Sequence, residues 1–263
     1  MPTAGGGAGL RVARVLSRDF DGRSETSLDP DLRVFVSDLV RPYGLPLRED
    51  LLRAGVGHAY GEMGEALLRE ALAPDEQVDL LILAFDIPDV QPGRSASVHL
   101  SRFCPGAPLA FAICDQGPAA AFTALRIASD YSRTGGCRRA VVLAMEQTAL
   151  HHRPEQPVQL PERHRAVVLV CEQSEEGGAE LTVRQHSGPD VDRELIPSGL
   201  KELGPDAELL LASDLGPGQP LTGVWTELAA RLPVWQRDGR PALVAQLDPG
   251  RGRLSLLALP APP

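Results

Sequence analysis

The sequence predicts an α/β protein built from layered sheets, and three observations carry that prediction. Strand-like and helix-like segments interleave through the first half, the order that layered α/β proteins require. Val78–Phe85 is nearly all apolar, the mark of a strand covered on both faces. A helix–strand–strand order near residues 166–186 returns near residues 224–259, which points to two related halves with the second abbreviated.

The elements follow in chain order. Residues 1–9 are small and Gly-rich and are expected to be mobile. Leu10–Leu16 reads as a first strand, and residues 17–31 as polar and turn-rich. Leu32–Val40 alternates apolar and polar residues, which predicts a half-buried strand. Glu62–Leu72 sets Met63, Ala66, Leu67 and Leu68 at helical spacing, and Pro74 closes it. After the buried strand Val78–Phe85, Arg94–Phe103 predicts a short helix and Leu109–Cys114 another strand. Pro118–Tyr131 predicts a helix with Pro in its first turn, where a missing N–H costs nothing. Gly135-Gly136 ends it, and Arg139–Met145 reads as a buried strand.

Residues 147–163 read as a Pro- and His-bearing loop. Ala166–Cys171 and Leu181–His186 predict a hairpin across a polar turn at Ser174–Gly178. Glu208–Ala212 predicts a further buried strand and Val224–Leu232 a helix. Ala242–Leu247 and Leu254–Leu259 predict a terminal hairpin across the run DPGRGR.

Composition narrows the function classes. At 263 residues the chain can fill one sizeable core or two small ones. Aromatic residues make only 4%, so the core must rely on Leu, Val, Ile and Ala. A formal charge of −9 argues against a general nucleic-acid binder. Cys104, Cys114, Cys137 and Cys171 fit neither a zinc site nor a disulfide framework. No apolar run approaches membrane-spanning length, and the start MPTAGGGAGL lacks the layout of a secretion signal. The expectation is a cytoplasmic protein with no metal, no cofactor, and no nucleic-acid or membrane partner.

The turn Cys114-Asp115-Gln116-Gly117-Pro118 is where chemistry is sought. A strand that ends directly in a helix N-terminus can hold a reactive group in the field of unpaired backbone N–H groups. Cys114 is the candidate nucleophile there; its competing reading is a small buried residue at a strand end. Asp115 beside it would raise the thiol pKa, and reads better as a cap on the helix. Cys104, Cys137 and Cys171 read as structural. His151, His152 and His164 match no metal-ligand spacing and read as a surface loop. His99 and His186 are candidates for a displaced base and read first as structural. Ser213-Asp214 would need a base for hydrolysis, and none is identifiable in the sequence.

The segments VDLLILAFDIPDVQP, PLAFAI and ALRIASDYSRTGGCRRAVVLAME, within residues 78–146, resemble the ketoacyl-ACP synthase III branch of the thiolase superfamily. The ending GRPALVAQLDPGRGRLSLLAL resembles that family's last hairpin. The resemblance implies a thiolase-like layered αβαβα fold with its halves at residues 1–160 and 161–263, and usually a homodimer. It implies acyl transfer from coenzyme A or acyl carrier protein to a cysteine, then decarboxylative condensation aided by a His and an Asn.

This chain departs from that pattern. The nucleophile position matches Gly117, which has no side chain to acylate, and the His position matches Ser213. The Gly-Asn-Thr/Ser motif finds no counterpart, and the chain contains no Asn. Where the family has Gly-Asp-Gly-Ala, this sequence reads Glu162-Arg163-His164-Arg165. The resemblance and its departures together imply a non-condensing ketosynthase III-like protein of fatty-acid, polyketide or specialised-metabolite biosynthesis. It would pair with itself or with a full-length ketosynthase, with acyl carrier protein or acyl-CoA as a further partner. The alternative is an acyltransferase or thioester hydrolase acting on acyl-CoA or acyl carrier protein through Cys114.

Overall fold

The computed structural model describes residues 8–22, 24, 29–175, 178–188, 191 and 193–261. Residues 1–7 of the run 1–9 expected to be mobile, residues 23 and 25–28 of the first polar stretch and residues 176–177 of the second turn lie outside the described residues.

Buried aliphatic strands make two sheets. The first holds β1 (Leu10–Phe20), β2 (Leu80–Ala84), β3 (Leu109–Ile113), β4 (Arg139–Glu146) and β5 (His164–Gln173), in the order β1-β5-β4-β2-β3. The second holds β6 (Thr182–Ser187), β7 (Glu208–Leu211), β8 (Ala242–Asp248) and β9 (Arg253–Leu259), in the order β6-β9-β8-β7. β2 is parallel to both β3 and β4, and every residue of β2 is buried, as a strand covered on both faces must be.

Helices fill the spaces that the sheets leave. α5 (Ala120–Arg133) and α7 (Gly223–Arg237) lie between the sheets in one shared core, where the Phe122 and Trp225 rings sit 4.6 Å apart. Ala120, Ala121, Ala124 and Ala128 give α5 a small-residue face, so the flanking strands approach closely. α3 (Tyr60–Ala71) and α4 (Ala96–Ser101) cover the outer face of the first sheet, and α6 (Leu195–Leu203) covers the outer face of the second. The result is five layers, αβαβα, as the resemblance implies.

The two sheets share a topology. In the first, β1 and β5 pair antiparallel, β5 and β4 antiparallel, and β4 and β2 parallel. In the second, β6 and β9, β9 and β8, and β8 and β7 repeat those senses in the same order. The second half is abbreviated in a definite way: among the described residues it has no counterpart of β3, nor of the α4 that leads into it.

Most predicted elements stand within a few residues of where the sequence sets them. Leu32–Val40 does not form a strand; it is part of helix α1 (Pro30–Val40). The Asp29 side chain accepts from the Asp31 N–H and Pro30 opens the first turn, so the segment is started as a helix. Leu32, Val36 and Val40 are its buried stripe, four residues apart. The short helix α2 (Glu49–Ala54) and α6 are additions to the predicted set. The hairpin expected over residues 166–186 does not form, because β5 pairs with β1 and β4 while β6 pairs with β9 in the other sheet. The passage between sheets therefore falls between Gln173 and Thr182. No helix among the described residues is long and apolar enough to cross a membrane.

Candidate functional site

The site begins where β3 runs into the helix. Gly117–Ala119 makes one 3-10 turn and α5 starts at Ala120. Gly117 is buried at φ +56°, a left-handed conformation that glycine adopts without a Cβ penalty. Its N–H donates to Asp86 Oδ1 at 2.8 Å. A Cβ placed on Gly117 would overlap the Arg251 guanidinium. Arg251 comes from the turn Pro249–Arg251 between β8 and β9, where its N–H donates to Asp248 Oδ1 at 3.1 Å. Its Nη2 lies 3.3 Å from Asp86 Oδ2 and its Nη1 3.4 Å from Asp248 Oδ2. An Asp86–Arg251–Asp248 chain thus crosses from the first sheet to the second, over Gly117.

Cys114 is exposed, so the reading of a buried strand-end residue does not hold. Its thiol is pushed up by desolvation and by the Asp115 carboxylate, away from a ready thiolate. Asp115 stands at φ +60° and does not cap the helix; the Gly117 N–H is held by Asp86 instead. Cys104, Cys137 and Cys171 are buried and free, and burial pushes each thiol up to about 12, in keeping with structural roles.

Ser213 follows β7 in the turn Ala212–Leu215, and its Oγ donates to Asp214 Oδ1 at 3.4 Å. It opens onto the same cleft as Asp86 and Arg251, a cavity of about 580 Å³ between the halves, whose lining contains no His. His99 lies on α4, 3.5 Å from Glu65, and His186 lies on β6. His151 is buried with Nε2 3.0 Å from the Val56 carbonyl, so it is not a loop-surface residue. His164 opens β5, its ring 5.0 Å from His58. No three His, Cys, Asp or Glu side chains among the described residues are placed to hold a metal ion.

A second carboxylate matches Asp86. Glu146 ends β4 at 2% exposure and accepts from Leu221 N at 2.8 Å, Thr222 N at 2.9 Å, Thr222 Oγ1 at 2.5 Å and Gln219 Nε2 at 3.1 Å. Burial pushes its carboxyl up, and the hydrogen bonds from Thr222 and Leu221 oppose that rise. Both central helices therefore meet an internal carboxylate at the N-terminal end: Asp86 at α5 and Glu146 at α7.

Sequence reasoning misses Asp86, Glu146, Gln219, Asp248 and Arg251. Gln219, at the entry to α7, lines the cleft, but its side-chain amide is held inside the protein: Nε2 donates to Glu146 Oε2 at 3.1 Å and Oε1 accepts from the Arg163 N–H at 2.8 Å. Arg251 has no local signal, since DPGRGR reads only as a turn.

No protein-family model and no curated protein matches the sequence. Solved structures do match in shape. A tetronic acid condensing enzyme aligns at TM-score 0.62 and 16% identity, over 96% of this chain and 100% of its own. The 3-oxoacyl-(acyl carrier protein) synthase III of Pseudomonas aeruginosa PAO1 aligns at TM-score 0.59 and 15% identity, over 97% and 99%. The acyltransferase ChlB3 aligns at TM-score 0.59 and 16% identity, over 97% and 98%. With five layers, two sheets of matching topology and these likenesses along nearly the whole chain, the protein has the thiolase-like fold of the ketosynthase III-type enzymes.

Proposed function

We propose that this chain is a ketosynthase III-like protein of fatty-acid, polyketide or specialised-metabolite biosynthesis that does not itself condense, and that it acts as the dimer partner of an active synthase. One observation carries the reading: the guanidinium of Arg251 stands where the side chain of a nucleophile at position 117 would stand. Acyl transfer needs an activated nucleophile with a base in reach. Gly117 has no side chain, and no histidine lines the cleft.

The sheet edge supports the pairing. β3 is the last strand of the first sheet, with the sequence LAFAI and no charge or proline, and Leu109 at its start is 54% exposed. Such an edge presents an unpaired row of N–H and C=O groups to another strand. The Leu109 N–H and the Ile113 carbonyl are taken up by the β2 side. In the alternation of a strand, Ala110 and Ala112 then direct their backbone groups outward.

Co-expression with a full-length ketosynthase that carries an intact Cys-His-Asn set, followed by native mass spectrometry, tests the reading. A stable one-to-one heterodimer is expected, and Ala112→Pro abolishes it by removing an outward N–H while the melting temperature stays within a few degrees. A chain that stays monomeric with every such synthase overturns the pairing.

A further inference from the structure

We infer that the outer edge of β7 takes in an extended, apolar segment of a partner protein, flanked by basic residues, as a parallel strand that completes the second sheet. The inference goes beyond the pairing reading, which uses β3, and holds whether or not that pairing occurs.

The shared topology locates the place. β7 stands to β8 as β2 stands to β4: Glu208 pairs with Ala242 where Leu80 pairs with Ala140. In that register Leu209 and Leu211 match Leu81 and Leu83. In the first sheet, Ala110 and Ala112 of β3 lie opposite Leu81 and Leu83, in a parallel pairing. β2 thus has a strand on each side, whereas β7 ends its sheet. The place that Leu109–Ile113 fills in the first half is filled by no described residue in the second.

The backbone of β7 is set for an addition. The Glu208 N–H donates to the Pro241 carbonyl at 2.9 Å, so Glu208 and Leu210 turn their backbone groups to β8. Leu209 and Leu211 then turn theirs away. The Leu209 N–H and C=O and the Leu211 N–H take no partner among the described residues. Leu210 packs in the core between the sheets, and Leu209 and Leu211 pack on the α6 side. A strand laid beside β7 would extend both apolar layers.

Other edges are closed. On β1, Gln236 Nε2 donates to the Val12 and Ala13 carbonyls at 2.9 and 3.3 Å, and the register shifts between Val12 and Arg14. Such devices keep a foreign strand off an edge. β7 has neither, and after Glu208 it carries only leucines.

Charge names the guest. Asp206 precedes β7 and Asp214 follows it; both are exposed, and neither has a cationic partner among the described residues. Glu208 between them is already paired with Arg240 at 2.6 Å. Acidic ends around an uncharged middle fit an apolar segment with Lys or Arg at each end. The formal charge of −9 on the chain draws such a segment in.

The probe is the β3 sequence, because it fills the matching place in the first half. A dye-labelled, end-blocked peptide KLAFAIK and its acidic counterpart ELAFAIE are each titrated with the full chain at low ionic strength, followed by fluorescence anisotropy. Saturable binding of KLAFAIK is expected, with ELAFAIE weaker by about tenfold. Asp206→Asn combined with Asp214→Asn is expected to shrink that gap several-fold at an unchanged melting temperature. With KLAFAIK bound, amide hydrogen exchange of the parent chain is expected to slow at Leu209 and Leu211 and to stay the same at Ala110 and Ala112. Ala112→Pro is expected to bind KLAFAIK as the parent chain does. The inference is overturned if KLAFAIK does not bind, if ELAFAIE binds as well, if the double variant leaves the gap intact, or if the slowed amides or the Ala112→Pro loss place the peptide on β3. The pairing is read at β3 and this site at β7, so their failures are separate outcomes.

Discussion

Arg251 Nη2 and Asp86 Oδ2 lie 3.3 Å apart although 165 residues separate them in sequence, and their contact closes the first sheet onto the second directly above Gly117. A partly exposed ion pair contributes little stability alone. Its importance is positional: a Cβ built on Gly117 would meet that guanidinium.

Gly117→Cys is therefore predicted to destabilise the protein rather than restore a nucleophile. A non-glycine residue in the left-handed region costs about 1–3 kcal/mol, whereas the Arg251 guanidinium, the end of a flexible, half-exposed side chain, can turn aside at little cost. Thermal unfolding should show a lowered midpoint, and Arg251→Ala should not restore it, because the cost lies in the backbone at position 117. A variant as stable as the parent chain would show that the left-handed backbone at position 117 accepts a side chain without cost.

Glu146→Gln replaces a buried carboxylate that accepts four hydrogen bonds with an amide that has only one acceptor oxygen. Hydrogen bonds to charged groups are worth about 1.5–3 kcal/mol, so a loss of that size is expected. Urea unfolding followed by tryptophan fluorescence reads it directly, because Trp225 is fully buried in α7, the helix that Glu146 caps. A change below about 0.5 kcal/mol would mean that the cap contributes nothing.

Acid should act through His164. Burial, and next to it His58, lowers its pKa from 6.5 to about 4, and the Thr148 N–H donates to its Nδ1 at 3.2 Å, which requires the neutral ring. Between those values the unfolded chain holds a proton that the folded chain lacks, so stability falls as pH drops from about 6.5 towards 4. Asp89 works the other way. Burial raises its pKa from 3.8 to about 6, so its contribution is complete below 3.8 and is lost as pH rises through 6. Urea midpoints across this window should show a shallower acid loss in His164→Gln and a steeper one in Asp89→Asn. Parallel profiles for all three proteins would contradict both assignments.

The fold was legible where one pattern dominated. The all-buried β2 and the glycine-bounded α5 could be read locally, because their neighbours in space agree with their own periodicity. Residues 30–40 misled because Val34, Phe35 and Leu39 are apolar yet exposed, which mimics strand alternation; the Asp29-Pro30 start was the better signal. β5 and β6 misled because adjacency in sequence is the usual basis for a hairpin, and here the chain changes sheet between them. The missing side chain at Gly117 was visible in the sequence. What fills its place was not, since Arg251 reaches the site only through the pairing of β8 with β9 and the closure of one sheet over the other.

Intact-mass spectrometry of the full chain after incubation with acyl-CoA and with acyl-loaded carrier protein tests the central claim most directly. The account predicts no mass increase, in the parent chain and in Cys114→Ala alike. A stoichiometric acyl adduct that maps to Cys114 and disappears in Cys114→Ala would contradict it.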